Sequence, residues 1–213
     1  KRQGKKGLEG HTEGAQRVEE LLQWCKDLGL KELSLYVFSM QNFQREEEEV
    51  GHLFTLFRQW FKKLSKKLEE ESHDARIRFL GRTYLFPKDV QEIIEDLTER
   101  TKNNKTYTLN FCMGYGGREE IVDAVKAVAM DVKQGLVNPA KIDASVFENY
   151  LYMADQPELI IRTGGVCRTS NFLIWQSFYS EWFFLDKTWP EFSKEDLQNI
   201  LKEFSKRERR FGR

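Results

Sequence analysis

Apolar residues recur at helical spacing through Ala15, Val18, Leu21, Leu22, Cys25 and Leu28, with Thr12 ahead of them and Gly29 behind. That pattern predicts a helix whose start Thr12 can cap and whose end Gly29 can close as a left-handed residue. ELSLYVFS, residues 32–39, follows as a short β-branched and aromatic run, which predicts a buried strand. From Glu46 the run EEEE sits where a helix dipole favours negative charge. Val50, Leu53, Phe54, Phe57, Trp60, Phe61, Leu64 and Leu68 then make one apolar stripe.

The alternation continues. ARIRFLG reads as a strand, Pro87 suits the first turn of a helix carrying Val90, Ile93, Ile94 and Leu97, and TYTLNFC is the next strand. After Gly114, Gly116 and Gly117 a helix carries Ile121, Val122, Val125, Val128, Ala129 and Val132 as far as Gly135, and ELIIRT resumes strand character. EWFFLD is the final strand, before a helix capped by Ser193 that carries Leu197, Ile200, Leu201 and Phe204. The fold class predicted is α/β, with a mostly parallel sheet flanked by helices. No internal repeat or low-complexity linker divides the chain, and 213 residues fit a single domain over 1–213.

Composition narrows the chemistry more than the fold. Lysine plus arginine and aspartate plus glutamate number 34 each, so no overall field favours nucleic acid or an anionic membrane, and any anion site must be local. Cys25, Cys112 and Cys167 are odd in number and lack C-x-x-C spacing, which argues against a disulfide scaffold or structural zinc and for a reducing compartment. No run approaches the roughly 18 apolar residues of a membrane span, and the expectation is a soluble chain.

In parallel α/β sheets ligands bind beyond the carboxyl ends of the strands, and three such ends are loaded here. FSMQNFQR offers a serine, two amides, an aromatic ring and Arg45; GYGGRE offers glycines; RTGGVCRTSNF places Arg162 and Arg168 around Gly164 and Gly165. In the last loop the glycines let backbone N–H groups approach an anion, Ser170 can cap a helix starting near Asn171, and the guanidiniums can bind phosphate oxygens bidentately. A solvated Gly-rich turn is the plainer alternative. Neither Walker-A spacing nor a dinucleotide fingerprint is present. The aromatic stripe reads as core packing, with a hydrocarbon tunnel as the alternative. His11 can donate to an anion or sit at a helix start, and Glu181 can face solvent or ligate Mg²⁺.

EGHTEGA, LYVFSMQNFQR, LNFCMGYGGREEI, LIIRTGG, RTSNFLIWQ, YSEWFF, WPEF and RERRFG, in this order along nearly the whole chain, resemble the cis-prenyltransferases, which include undecaprenyl and dehydrodolichyl diphosphate synthases. RTGGV and SMQNFQREEEEV look closest to archaeal members. The resemblance implies an α/β enzyme with an elongated apolar tunnel. It implies a Mg²⁺-dependent homodimer that condenses isopentenyl diphosphate with a farnesyl- or geranylgeranyl-type allylic diphosphate in cis geometry. Carried over residue by residue, Arg162, Arg168, Thr169 and Ser170 hold isopentenyl diphosphate, and Glu181 binds the metal. Ser39, Met40, Gln41, Phe43 and Arg45 lie beside the allylic substrate with Asn42, the candidate for proton handling. His11 approaches the allylic diphosphate, and Arg210, Phe211 and Gly212 reach across the dimer. The implied location is cytoplasmic, with transient contact at a membrane surface for the lipid product and no role for nucleic acid.

Departures from the family pattern carry expectations of their own. The family's first strand and Asp-Gly-Asn loop should precede this sequence, so a longer polypeptide is expected; the alternative is a catalytically silent partner subunit of a heteromeric enzyme. A generic phosphate-binding protein is a more distant reading. Gly7 stands where an arginine is usual, Gln41 where a glutamate is usual, and Val166 and Cys167 replace residues near the metal. Val37 and Tyr107 are larger than the family's usual alanine and leucine, which is expected to narrow the tunnel and shorten the product.

Overall fold

The structure is a computed structural model that describes the backbone of residues 7–70 and 74–207, and the side chains of 13–69 and 74–207. The His11 side chain, Arg210, Phe211 and Gly212 lie outside the described residues. Two compact units are present: Lys1–Gly114 with Trp189–Lys194, and Tyr115–Thr188 with Glu195–Arg213.

In the first unit, helix α1 (Gly7–Asp27) starts five residues before Thr12, so Thr12 lies inside the helix and does not cap it. No proline interrupts 7–12, and extending a formed helix costs far less than nucleating one. The far end is as expected: Gly29 takes φ +71°, and Leu30 N–H reaches back to Cys25 O at 2.9 Å. Strand β1 (Glu32–Ser39) then enters a three-stranded sheet that also contains β2 (Ala75–Leu80) and β3 (Tyr107–Tyr115), in the order β1-β3-β2. β1 is an edge strand, and among its residues only Phe38 is buried. The fully buried strand is β3, in the centre, where every residue from Leu109 to Tyr115 is buried. β2 and β3 run parallel, in register from Ala75 opposite Tyr107 to Leu80 opposite Cys112.

Helix α2 (Glu47–Glu70) presents the aromatic stripe to this sheet. Leu53, Phe57 and Phe61 join Ile77, Leu109 and Phe111 in one core, and Phe61 meets Phe79 and Phe111 edge-on at centroid distances of 5.1 and 5.5 Å. Helix α3 (Lys88–Thr101) buries Val90, Ile94 and Leu97, with Pro87 as its N-cap and not in its first turn. Thr101 fastens it to the sheet: its hydroxyl donates to Leu97 O at 2.8 Å and accepts from Ile77 N–H at 2.9 Å. Residues 189–194 close the unit, because Trp189 Nε1–H donates to Gly14 O at 2.9 Å and Arg17 donates twice to Pro190 O.

In the second unit Gly116 is the N-cap of helix α4 (Gly117–Lys133), and Asp143 caps the short helix α5 (Ala144–Glu148). Strands β4 (Leu159–Arg162) and β5 (Glu181–Phe184) pair in parallel, with Leu159 opposite Glu181 and Arg162 opposite Phe184. Helix α6 (Lys194–Phe204) follows and buries Leu197 and Ile200. The parallel α/β class matches expectation, although the strands form a three-stranded and a two-stranded sheet.

Phe61 is 1 % exposed and Val125 is 53 % exposed. Phe61→Ala should lower the unfolding free energy by about 3–5 kcal/mol, and Val125→Ala by no more than about 0.5 kcal/mol. Urea unfolding monitored by circular dichroism measures both.

Candidate functional site

At the carboxyl end of β1, Met40–Gln44 form a 3-10 turn that begins at Ser39. Asn42 holds this turn: its Oδ1 accepts from Ser39 N–H at 2.7 Å and its carbonyl accepts from Arg45 N–H at 3.2 Å. Its amide is thereby fixed in direction. Phe43 packs edge-on against Phe38 at 4.8 Å and at a tilt against Phe86 at 5.3 Å, so the loop is anchored on the core by an aromatic ring. Arg45 is exposed and pairs with Glu49 at 2.6 Å. Met40 is half-buried and Gln41 exposed. Phe86, 3 % exposed, was not singled out by periodicity because it stands in a loop. Its signal was an aromatic residue directly before a helix-opening proline, just past a strand's carboxyl end.

The carboxyl end of β4 carries the second group. Arg162 ends the strand, and its Nη1 donates to Arg168 O at 2.6 Å and to Ser170 Oγ at 2.8 Å. Ser170 and the Arg168 backbone thus meet at the Arg162 guanidinium, and Arg168, Thr169 and Ser170 are exposed. Two expectations for this loop fail. Gly164 N–H donates to Lys187 O and Gly165 N–H to Leu185 O, each at 2.8 Å, so these amides continue the contact with the segment after β5 and do not face an anion. Their positive φ values, +99° and +68°, are what that path requires. Nor does a helix begin at Asn171: Ser170, Asn171 and Leu173 all have positive φ, and 171–179 is a run of turns. Ser170 therefore has no helix there to cap.

Gly116 and Gly117 also acquire a different meaning. A Cβ on Gly116 would stand 2.6 Å from Asn171 Nδ2, and one on Gly117 would stand 2.9 to 3.1 Å from Ile174 atoms. The glycines permit the 171–174 segment to lie against the start of α4. They do not form an open anion-binding terminus, since Gly117 N–H already donates to Asn171 O at 2.7 Å and Arg118 N–H to Asn171 Oδ1 at 2.9 Å. One turn on, Glu120 is 1 % exposed; it accepts from the Tyr115 hydroxyl, from Tyr152 N–H at 2.9 Å and from Gln176 Nε2 at 3.0 Å. Burial raises its pKa, and these donors counter the effect only in part.

Glu181 is the first residue of β5, opposite Leu159, whereas Arg162 lies three residues further along β4. That offset is about 10 Å at strand rise, so the pairing alone does not bring Glu181 to the arginine cluster. Its carboxylate pairs with Arg207, which also pairs with Glu203 and stacks over Phe183 at 4.3 Å. Among the described residues no group of three or more ligating side chains could hold a metal ion. Glu181 is the carboxylate expected to bind Mg²⁺, a cation that takes one or two carboxylates and draws its remaining ligands from substrate phosphates and water. Cys167 is exposed and Val166 half-exposed in the same unit.

An apolar cavity of about 150 Å³ lies in the first unit between α1, α2 and the amino ends of its strands, lined by Leu22, Leu33, Trp60, Leu64, Tyr107 and Leu109. Lys31 Nζ sits 5.3 Å above the Tyr107 ring. Val37 packs against the core and is not among the cavity's walls. Ser39 lies six residues further along β1 than Leu33, a wall of this cavity, about 20 Å along the strand. Among the described residues no helix is long and apolar enough to cross a membrane.

Strand carboxyl ends that carry arginine, serine and amide side chains fit an α/β protein that binds its ligand there. A family model described as putative undecaprenyl diphosphate synthase matches residues 1–212. A protein of Methanopyrus kandleri named tritrans,polycis-undecaprenyl-diphosphate synthase (geranylgeranyl-diphosphate specific) is 46 % identical over 207 residues, covering 96 % of this chain and 76 % of the relative. The protein of that name from Pyrococcus horikoshii is 44 % identical, over 96 % and 78 %. Among solved structures, lavandulyl diphosphate synthase from Lavandula x intermedia, in complex with dimethylallyl diphosphate, superposes with a TM-score of 0.94 at 30 % identity, over 100 % of this chain and 92 % of that one. A probable undecaprenyl diphosphate synthase from Campylobacter jejuni gives 0.83 at 29 %, over 95 % and 93 %. The chain belongs to the undecaprenyl diphosphate synthase family, the cis-prenyltransferases.

The Glu120 carboxyl has a folded pKa above its unfolded value, so its contribution to stability is fully present below the unfolded value and is lost as pH rises through the folded one. Over that rise wild type should lose more unfolding free energy than Glu120→Gln, which cannot ionise. Denaturant titrations at a series of pH values from 4 upward test this; parallel slopes for the two proteins would refute it.

Proposed function

We propose that this cis-prenyltransferase extends geranylgeranyl diphosphate with isopentenyl diphosphate to a long polyprenyl diphosphate of the undecaprenyl class. The observation that carries the reading is the cluster of Arg162, Arg168 and Ser170 at the carboxyl end of β4, taken as the seat of the isopentenyl diphosphate. Two guanidiniums and a hydroxyl match the charge and the acceptor-only oxygens of a diphosphate. The primer follows from the names of the archaeal relatives: the trans double bonds of such a product come in with the primer, and the cis ones are made by the enzyme.

In each round the allylic C–O bond breaks and its electron pair leaves with the diphosphate. The double bond of isopentenyl diphosphate forms the new C–C bond, and a proton is lost to restore an alkene. What this asks of the protein is stabilisation of the departing charge and exclusion of water from the allylic cation. Arg45 and His11, with Ser39, Met40, Gln41 and Phe43, are the proposed allylic neighbours, and Thr169 and Gly212 join the donor side. Asn42, its Oδ1 held by Ser39 N–H, orients a proton acceptor, since a neutral amide is too weak a base to keep the proton. Mg²⁺, when bound at Glu181, supplies further neutralisation of diphosphate charge. The same reading includes a homodimer, a cytoplasmic location and transient contact of the product with a membrane surface.

The growing chain would run along the aromatic face of α2 toward the cavity that ends at Tyr107. A cavity of about 150 Å³ takes up a molecule near the size of benzene, so a long tail has to widen or pass this point. Tyr107→Leu, alone or with Val37→Ala, should lengthen the product, read by reversed-phase chromatography after removal of the phosphates; an unchanged length distribution would remove Tyr107 from this role.

The test of the reading is an assay with isopentenyl diphosphate, Mg²⁺ and, in parallel, dimethylallyl, farnesyl and geranylgeranyl diphosphates. The highest kcat/KM is expected with geranylgeranyl diphosphate. A preference for dimethylallyl diphosphate with a single short product would overturn the reading. Arg168→Ala should raise KM for isopentenyl diphosphate by about tenfold or more, the size of a lost charged hydrogen bond.

A further inference from the structure

Asn171 is bound on three sides to the start of α4. Its carbonyl accepts from Gly117 N–H at 2.7 Å, its Oδ1 accepts from Arg118 N–H at 2.9 Å, and its Nδ2 donates to Glu119 Oε2 at 2.8 Å. It does this at φ +65°, next to Ser170 at φ +50°, in a region that asparagine enters more readily than most residues. The neighbouring Ser170 Oγ and the Arg168 carbonyl both accept from the Arg162 guanidinium. The backbone that aims Ser170 is thus anchored one residue away on a rigid helix terminus, and Gly116 and Gly117 leave the room for that anchor.

We infer that Asn171, through its bond to Glu119, is a positioning residue that sets the affinity for isopentenyl diphosphate by holding Ser170 and the Arg168 carbonyl in place around Arg162. The inference rests on the proposed assignment of Arg162, Arg168 and Ser170 to that diphosphate. Loosening the anchor allows the loop to turn, and the cost falls on the binding of the donor, not on the allylic partner or on the chemical step.

Asn171→Asp keeps the size, the tolerance of positive φ and the Oδ1 acceptor, but replaces the Nδ2 donor with an oxygen facing the Glu119 carboxylate. KM for isopentenyl diphosphate should rise about three- to tenfold, while kcat and KM for geranylgeranyl diphosphate stay within about twofold. Adding Glu119→Gln to that variant restores a donor from the other side, and should return KM to within about twofold of wild type. Glu119→Ala breaks the same bond from a half-buried helix position and should raise the same KM on its own. The inference is overturned if both Asn171→Asp and Glu119→Ala leave that KM unchanged, if all kinetic constants shift together, if only the melting temperature moves, or if the double variant fails to recover. Arg162→Ala separates the two levels. If it raises KM for isopentenyl diphosphate and the anchor variants do not, only the positioning role fails; if it does not, the donor-site assignment fails and the inference falls with it.

Discussion

Phe38 lies at 1 % exposure with the rings of Phe43, Phe54, Phe57 and Phe86 around it, at centroid distances of 4.8 to 5.9 Å. The first unit's site elements are placed by this contact. It joins the end of β1, the aromatic face of α2 and the loop before α3, and burying so many rings is the largest favourable term available to a unit of this size. The 3-10 turn that carries Asn42 and Arg45 is short and has little stability of its own. It holds its direction because Phe43 is one of the rings in the cluster.

The second unit achieves a similar result with polar groups. Three stretches of weak intrinsic structure, at 162–165, 168–174 and 185–187, are held by hydrogen bonds to one another and to the start of α4. Non-glycine residues at positive φ cost energy and persist where surrounding bonds determine them. Their presence at Ser170, Asn171 and Leu173 marks the loop as shaped for a task. The glycines of GYGGRE serve the same end, by making space and not by binding an anion.

Charge is distributed with similar economy. The chain is neutral as a whole, yet the exposed Arg168 lies close in sequence to Arg162, whose guanidinium donates to the Arg168 carbonyl and the Ser170 hydroxyl. Glu181, by contrast, is matched to Arg207. That pair is partly exposed, so it contributes little to stability by itself.

Periodicity determined most of the elements: the helices that carry Leu21, Phe61, Ile94 and Val128, the strands, the left-handed closure at Gly29, and the parallel α/β class. The motifs determined the family, because Arg162, Arg168 and Ser170 keep their spacing in any fold. Sequence alone misplaced what depends on neighbours in space. It made β1 a buried strand, though its place at the sheet edge leaves it half-covered, and it started α1 at Thr12, because a capping residue cannot announce that the helix has already begun. It read Gly164 and Gly165 as anion-facing, and gave Ser170 a helix to cap. Only the tertiary structure decided what the glycines do, for one physical reason: a backbone N–H is available to a ligand only if no carbonyl from elsewhere in the chain has taken it. Asn171, Lys187 and Leu185 supply those carbonyls from up to 54 positions away, a distance over which no local pattern carries information.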